Sequence, residues 1–204
     1  MNSRNNHPAA LCGLVLAGGR SSRMGRDKAS LLHPDGRPLG VRAFGLLCLA
    51  GCESVALSLR SGQELPDGFS ASSPPDLIRD PEGASEGPLT GILAAMRTRP
   101  DADWLVVACD LPRLDATTLA ALINRRLPGE LFLAFRSEHD GLPEPLCAFY
   151  ARESADLLAS AQASGMRCPR KILLNHGCRL LMPVTPRALD NANTPDDWES
   201  TVKP

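Results

Sequence analysis

The stretch Cys12-Gly-Leu-Val-Leu-Ala17, followed at once by Gly18-Gly19, sets the reading of the rest of the chain. A short apolar run that stops on paired glycines reads as a buried parallel strand entering a tight loop. Trp104-Leu-Val-Val-Ala-Cys109 repeats the pattern and ends on Asp110. Between and after these runs lie segments of helical spacing. Residues 41–50 follow Pro38, which can occupy a first turn, and residues 88–97 open on Pro88 with Leu89, Ile92, Leu93 and Met96 on one face. Asp115 caps a helix to about Arg126, and residues 153–164 and 170–176 each end at a glycine. Further strands are predicted at 54–59, 77–80, 131–135 and 145–150, with loop at 61–75. Strands alternating with helices predict a three-layer α/β domain with a mostly parallel sheet, whose ligands bind beyond the carboxyl ends of the strands. Gly18 and Asp110 then share one rim.

The bulk composition narrows the partners. The chain has 204 residues with 43% hydrophobic content, which suits one core, so residues 1–204 are read as a single domain with a flexible extension over 1–10. With 22 Lys and Arg against 23 Asp and Glu, there is no basic body for nucleic acid, and any anion site must come from local geometry. The 7 cysteines form neither a CxxC pair nor a zinc spacing, which fits a reduced, cytoplasmic setting. The apolar run near the amino terminus is interrupted by Gly13 and precedes no Ala-x-Ala, against a secretory signal, and no run reaches the roughly 20 apolar residues of a membrane span.

The loop itself carries the chemistry. Gly18-Gly-Arg-Ser-Ser-Arg23-Met-Gly25-Arg-Asp27-Lys28 holds three glycines and four cations directly after a predicted strand. Glycines let backbone N–H groups approach phosphate oxygens, and Arg and Lys neutralise their charge. A solvated surface loop is the alternative for any one Gly-Gly pair; here strand, glycines and cations coincide. A Walker A loop is excluded because Gly25 is separated from Lys28 by Arg26 and Asp27, and the Gly-x-Gly-x-x-Gly fingerprint is absent. Such a loop is expected to be mobile when empty.

Leu16-Ala-Gly-Gly19, Arg23-Met-Gly25 and Asp27-Lys28 resemble the signature of the molybdenum cofactor guanylyltransferases, within the nucleotidyltransferases that share Leu-Ala-Gly/Ala-Gly-x-x-x-Arg-Met-Gly-x-x-Lys. The resemblance continues through Asp80, Glu86-Gly-Pro-Leu-Thr-Gly91, Ala108-Cys-Asp110-Leu-Pro112 and Asn191-Ala-Asn193-Thr-Pro195. It implies a Rossmann-like nucleotidyltransferase fold and transfer of GMP from GTP to the phosphate of molybdopterin, or its molybdenum-loaded form, with release of pyrophosphate. It also implies Mg²⁺ on Asp110 and transient contact with molybdoenzymes or cofactor-biosynthesis proteins. By the same resemblance, Leu16, Ala17, Gly18, Gly19, Lys28, Asp80, Gly87, Pro88 and Asp110 bind nucleotide, and Arg23, Lys28 and Asp110 are catalytic. Arg170, Lys171, Asn191 and Asn193 are candidates for the acceptor. Two regions depart from the family pattern. Ser58-Leu-Arg60 stands where the second strand often carries Asn, and residues 138–145 match no acceptor motif.

Physical roles follow from the reaction class. An acceptor phosphate attacks the α-phosphorus, so catalysis is positioning and charge neutralisation, and no nucleophilic side chain is required. A carboxylate at a strand end suits a hard cation, although Asp there also caps turns. Lys28 and Arg23 are suited to phosphates, with a solvated surface charge as the alternative for each. The histidines are scattered, Cys109 reads as a small hydrophobe, and Trp104 and Trp198 as packing residues. Rival readings are a cytidylyltransferase for the same cofactor or a sugar-phosphate nucleotidyltransferase, and a non-catalytic nucleotide-binding regulator. A dinucleotide-dependent oxidoreductase is disfavoured by the missing fingerprint.

Overall fold

Strand β1, Leu11–Leu16, is buried along nearly its whole length, with alternate side chains serving opposite faces of a sheet. Leu11 and Val15 pack toward one helical layer, Cys12 and Leu14 toward the other. This strand belongs to a computed structural model that describes residues 9–19, 27–69, 75–85, 87–192 and 197–198. Arg23 and Asn193 lie outside the described residues, as does most of the expected loop mobility at 18–28. At the inner edge of the expected extension over 1–10, the carbonyl of Ala10 accepts from the N–H of Asp103 at 2.9 Å, and residues 1–8 lie outside the described residues.

Around β1 the described residues form one seven-stranded sheet. Its strands are β1, β2 (Ser54–Leu59), β3 (Asp76–Arg79), β4 (Asp103–Ala108), β5 (Phe132–Arg136), β6 (Pro143–Tyr150) and β7 (Arg179–Leu181), in spatial order β3-β2-β1-β4-β6-β5-β7. All pairings are parallel except those of β6 with β4 and β5. The strand order reverses beside β1, where β2 and β4 flank it, and that crevice is where such sheets hold ligands. Because β6 runs backward, Cys147 pairs with Val107 and the early part of β6 reaches the same rim as the end of β4.

Helices α1 (Leu39–Leu49) and α3 (Ala116–Asn124) cover one face of the sheet. On the other face lie α2 (Pro88–Thr98), α4 (Ala155–Ala163) and α5 (Pro169–Asn175). The three-layer α/β expectation therefore stands. Local signals explain the ends. Asp115 caps α3 by accepting from the N–H of Thr118 at 2.7 Å, and proline opens α2 and α5 where its missing N–H costs nothing. Leu14, Val15, Ile92, Leu119 and Leu158 are completely buried, each contributing about 1.5–3 kcal/mol by removal from water.

The structure corrects the sequence reading in three places. The strands do not alternate with helices throughout, because β5 and β6 form a hairpin with an irregular register between Ala134 and Phe135. Strand β6 starts at Pro143, earlier than the expected 145. Strand β7 has no counterpart in the sequence reading: three residues are too few to show a period, and its place rests on parallel pairing with β5 and on the Arg179 to Glu130 ion pair at 2.5 Å. No described helix is long and apolar enough to cross a membrane.

Candidate functional site

Each of the four parallel strands around the crevice delivers a residue to the rim where it ends. Asp80 follows β3, Arg60 follows β2, Gly18 follows β1 and Asp110 follows β4. Strand spacing of about 4.8 Å sets the β3 and β4 ends on the order of 14 Å apart, a span suited to a nucleotide from base to α-phosphate. A cavity of about 380 Å³ occupies this rim. The described residues expected to bind nucleotide all line it: Leu16, Ala17, Gly18 and Gly19 from the β1 end, Asp80, Gly87 and Pro88 on one flank, Lys28 and Asp110 on the other.

Backbone bonds hold these groups firmly. The N–H of Cys109 donates to the carbonyl of Leu16 at 3.2 Å, that of Ala17 to Ser58 at 3.0 Å, and that of Asp80 to Leu59 at 3.0 Å. On its far side, the carbonyl of Asp110 accepts from the N–H of Ala192 at 3.1 Å. Asn191 is exposed one residue before that anchor. Lys28 opens a 3-10 turn, Lys28–Ser30, capped by the Asp27 carboxylate, which accepts from the N–H of Ala29 at 3.0 Å. Ala29 is fully buried, and an added Cβ at Gly40 of α1 would meet its methyl at 3.1 Å, so the turn is packed onto that helix.

The charges at the two ends differ. The Lys28 ammonium donates to the Asp110 carboxylate at 2.8 Å, and the two side chains are 18% and 19% exposed. At the other end, Asp80 Oδ1 and Arg60 Nε are both buried without a hydrogen-bond partner among the described residues. Burial raises the Asp80 carboxyl above the usual carboxylate range, and the nearby Arg60 charge only partly offsets this. Buried unpartnered polar atoms facing a cavity are costly unless a ligand completes them. Burial also pushes the Cys109 thiol up, helped by the charges of Asp110 and Asp27, so this cavity cysteine is no nucleophile near neutrality.

Two glycines make the crevice narrow enough. A Cβ on Gly91 would sit 2.3 Å from Ser58 Oγ, so glycine lets α2 settle on β2, and a Cβ on Gly18 would meet Arg60 Cγ at 3.3 Å. Ser58 and Arg60, which depart from the family's asparagine pattern, nevertheless line the cavity. Sequence reasoning leaves out Asp27, Gly91, Ala108, Cys109 and Leu146 as lining residues. Asp27 and Gly91 stand inside recognised motifs, whereas Leu146 carries no signal, because only the reversed direction of β6 brings it to the rim.

The acceptor candidates are less convergent. Arg170 pairs with Asp140 at 2.8 Å and with Glu144 at 3.2 Å, while Lys171 is exposed. Neither lines the cavity, although Glu144 lies two residues before the lining residue Leu146 in β6. Among the described residues, no group of three or more His, Cys, Asp or Glu side chains is arranged to hold a metal. Any cation held at Asp110 would take most of its oxygens from outside the described side chains.

Known proteins resemble this chain in sequence and fold. The family of the MobA-like NTP transferase domain matches residues 13–179. The chain is 38% identical over 188 residues to the "Molybdenum cofactor biosynthesis bifunctional protein" of Synechocystis, covering 92% of this chain but only 52% of that protein. It is 35% identical over 191 residues to the "Probable molybdenum cofactor guanylyltransferase" of Nostoc, covering 92% of this chain and 88% of that one. Among solved structures, molybdopterin-guanine dinucleotide biosynthesis protein A from Archaeoglobus fulgidus superposes with a TM-score of 0.74 at 25% identity, over 94% of this chain and 96% of that one. A nucleotidyltransferase sheet, a strand-end crevice with Lys28 against Asp110, and a match running almost the length of the chain agree: this protein belongs to the family of the MobA-like NTP transferase domain.

Proposed function

We propose that this protein transfers GMP from GTP to the terminal phosphate of molybdopterin or molybdenum-loaded molybdopterin, forming a guanine dinucleotide and releasing pyrophosphate. The observation that carries the reading is the Lys28–Asp110 pair, 2.8 Å apart at the phosphate end of a nucleotide-sized crevice. Only half of the bifunctional relative corresponds to this chain, so nothing of its second activity is carried over.

In this mechanism an acceptor phosphate oxygen attacks the α-phosphorus, a new P–O bond forms, and the bond to the β-phosphate oxygen breaks, with its electron pair leaving on pyrophosphate. Backbone N–H groups near Gly18 and Gly19 approach the phosphates where no side chain intervenes. Lys28 exchanges part of its bond to Asp110 for phosphate oxygens and neutralises the leaving group. Arg23 is assigned to the same polyphosphate. Asp110, the carboxylate at the β4 end of the crevice, would hold Mg²⁺, with its other oxygens coming from phosphate and water; when bound, the ion would supply charge neutralisation at the reacting phosphates.

At the other end, the Asp80 carboxylate suits guanine, whose N1–H and N2 amino group offer two adjacent donors, while adenine and cytosine offer only one amino group on that edge. Arg60 can donate to the guanine O6. The acceptor docks on the β6 side, near Leu146 and Arg170, with Asn191 one residue before the Ala192 anchor on Asp110; Asn193 is assigned to the same acceptor by the family resemblance alone. Pyrophosphate release with Mg²⁺ and molybdopterin, compared for GTP, CTP, ATP and UTP, tests the reading. Release with GTP alone supports it, and preference for another nucleotide overturns the named donor.

A further inference from the structure

One side chain outside the cavity lining uses all of its amide hydrogen-bonding groups to tie the site together. Gln63 sits in the turn after β2, where its N–H donates to the carbonyl of Arg60 at 3.2 Å and its Oε1 accepts from the N–H of Arg60 at 3.1 Å. Its Nε2 donates twice, to the carbonyl of Ala17 at 2.9 Å and to the Asp27 carboxylate at 2.9 Å. The amide orientation is unambiguous, since one partner is a donor and the other two are acceptors. The Arg79 guanidinium braces the same turn, donating to the carbonyls of Gln63 at 2.7 Å and Arg60 at 3.2 Å.

Ala17 and Asp27 are the two feet of the glycine-rich loop. The first is the last residue before Gly18, and the second immediately precedes Lys28. Asp27 uses its other oxygen to cap the turn that carries Lys28. A single amide thus ties the feet to each other and joins them to the backbone of Arg60, at the end of the neighbouring strand β2. We propose that Gln63 is a positioning residue for nucleotidyl transfer: it ties Ala17 to Asp27 and fixes Lys28 relative to the residue facing the base. This inference rests on the nucleotidyltransferase reading above. Gln63 does not line the cavity and acts through Ala17, Asp27 and Arg60.

Gln63→Glu is the sharpest test, because it keeps size and the acceptor for Arg60 but turns both donor contacts into repulsion with Ala17 and Asp27. At neutral pH the variant is expected to lose about tenfold or more in kcat/KM for GTP, with the KM for the acceptor unchanged. The ratio of variant to wild-type activity should recover as the pH falls toward about 5, where the introduced carboxyl gains a proton and donates again. Adding Asp27→Asn should restore activity partly, since the new amide can donate to the introduced carboxylate while its oxygen still caps Ala29. Amide hydrogen exchange without nucleotide should be faster at Ala29 and unchanged at Arg60. Activity within twofold of wild type together with unchanged exchange at Ala29 would overturn the inference, as would a deficit indifferent to both pH and Asp27→Asn. A wild-type protein that releases no pyrophosphate from GTP, while Gln63→Glu still loosens Ala29, would instead overturn the proposed function and leave the clamp standing.

Discussion

The crevice between β2 and β4 and the hairpin side beyond β6 are built on different terms. On the first side, groups sit where parallel strands end, and each is fixed by a backbone bond to the next strand. On the second, the polar groups come from turns, from the first turn of α5 and from the start of β6, and are held by one another. Arg170 bonds to Asp140 and Glu144, His139 lies 3.1 Å from Asp190, and Arg187 donates to Asp190 at 2.7 Å. A nucleotide has the same shape for every member of a family, so rigid strand ends suit it, whereas turns can vary with the acceptor. On the proposed function, donor chemistry is written in the frame of the sheet and acceptor choice in what is attached to it.

Four substitutions probe that contrast. The largest effect is expected from Asp110→Ala, a fall in kcat of about 10²–10³ with the fold retained, read by pyrophosphate release and circular dichroism. A loss below tenfold would detach the β4 end from the chemistry. Next, Gly91→Ala forces a methyl against Ser58 Oγ and is expected to cost about 1–3 kcal/mol of stability in denaturant unfolding, with part regained in the double variant with Ser58→Ala.

Asp80→Asn is expected to weaken GTP binding about tenfold while raising the melting temperature by about 1–3 °C. The sign follows from its raised carboxyl. A folded-state pKa above the unfolded value favours the protonated form, so Asp80 adds stability at low pH that is lost as the pH rises through the folded value. By the same shift, wild-type affinity for GTP should decline as the pH falls through that raised value, before ordinary carboxylates titrate. Asp80→Asn should remove this dependence. The smallest effect is expected from Arg170→Ala, about a threefold rise in the KM for the acceptor with that for GTP unchanged, since two carboxylates already share its charge. A change in GTP affinity would erase the division between the two sides.

The same division governs how much is legible in the sequence. Strands β1 and β4 are plain there because a strand buried on both faces is a continuous apolar run ending on glycine or aspartate, and the rim positions of Gly18 and Asp110 follow. Asp80, Gly87 and Pro88 are readable from a motif, and the structure brings them to the same cavity. The reversal of β6 is not readable. Its apolar residues satisfy either direction, and the β5–β6 turn looks like any polar loop, so nothing marks Leu146. Gln63 is equally silent, because its three partners lie 3, 36 and 46 residues away and only the fold assembles them.

Nucleotide-dependent pyrophosphate release by the wild-type protein with Mg²⁺ and molybdopterin, run beside Asp110→Ala with GTP, CTP, ATP and UTP, puts guanylyl transfer at the strand-end crevice to the proof. Acceptor-dependent release with GTP alone, lost in the variant, is the expected result. Release with another nucleotide in preference to GTP, or release undiminished in Asp110→Ala, would contradict it.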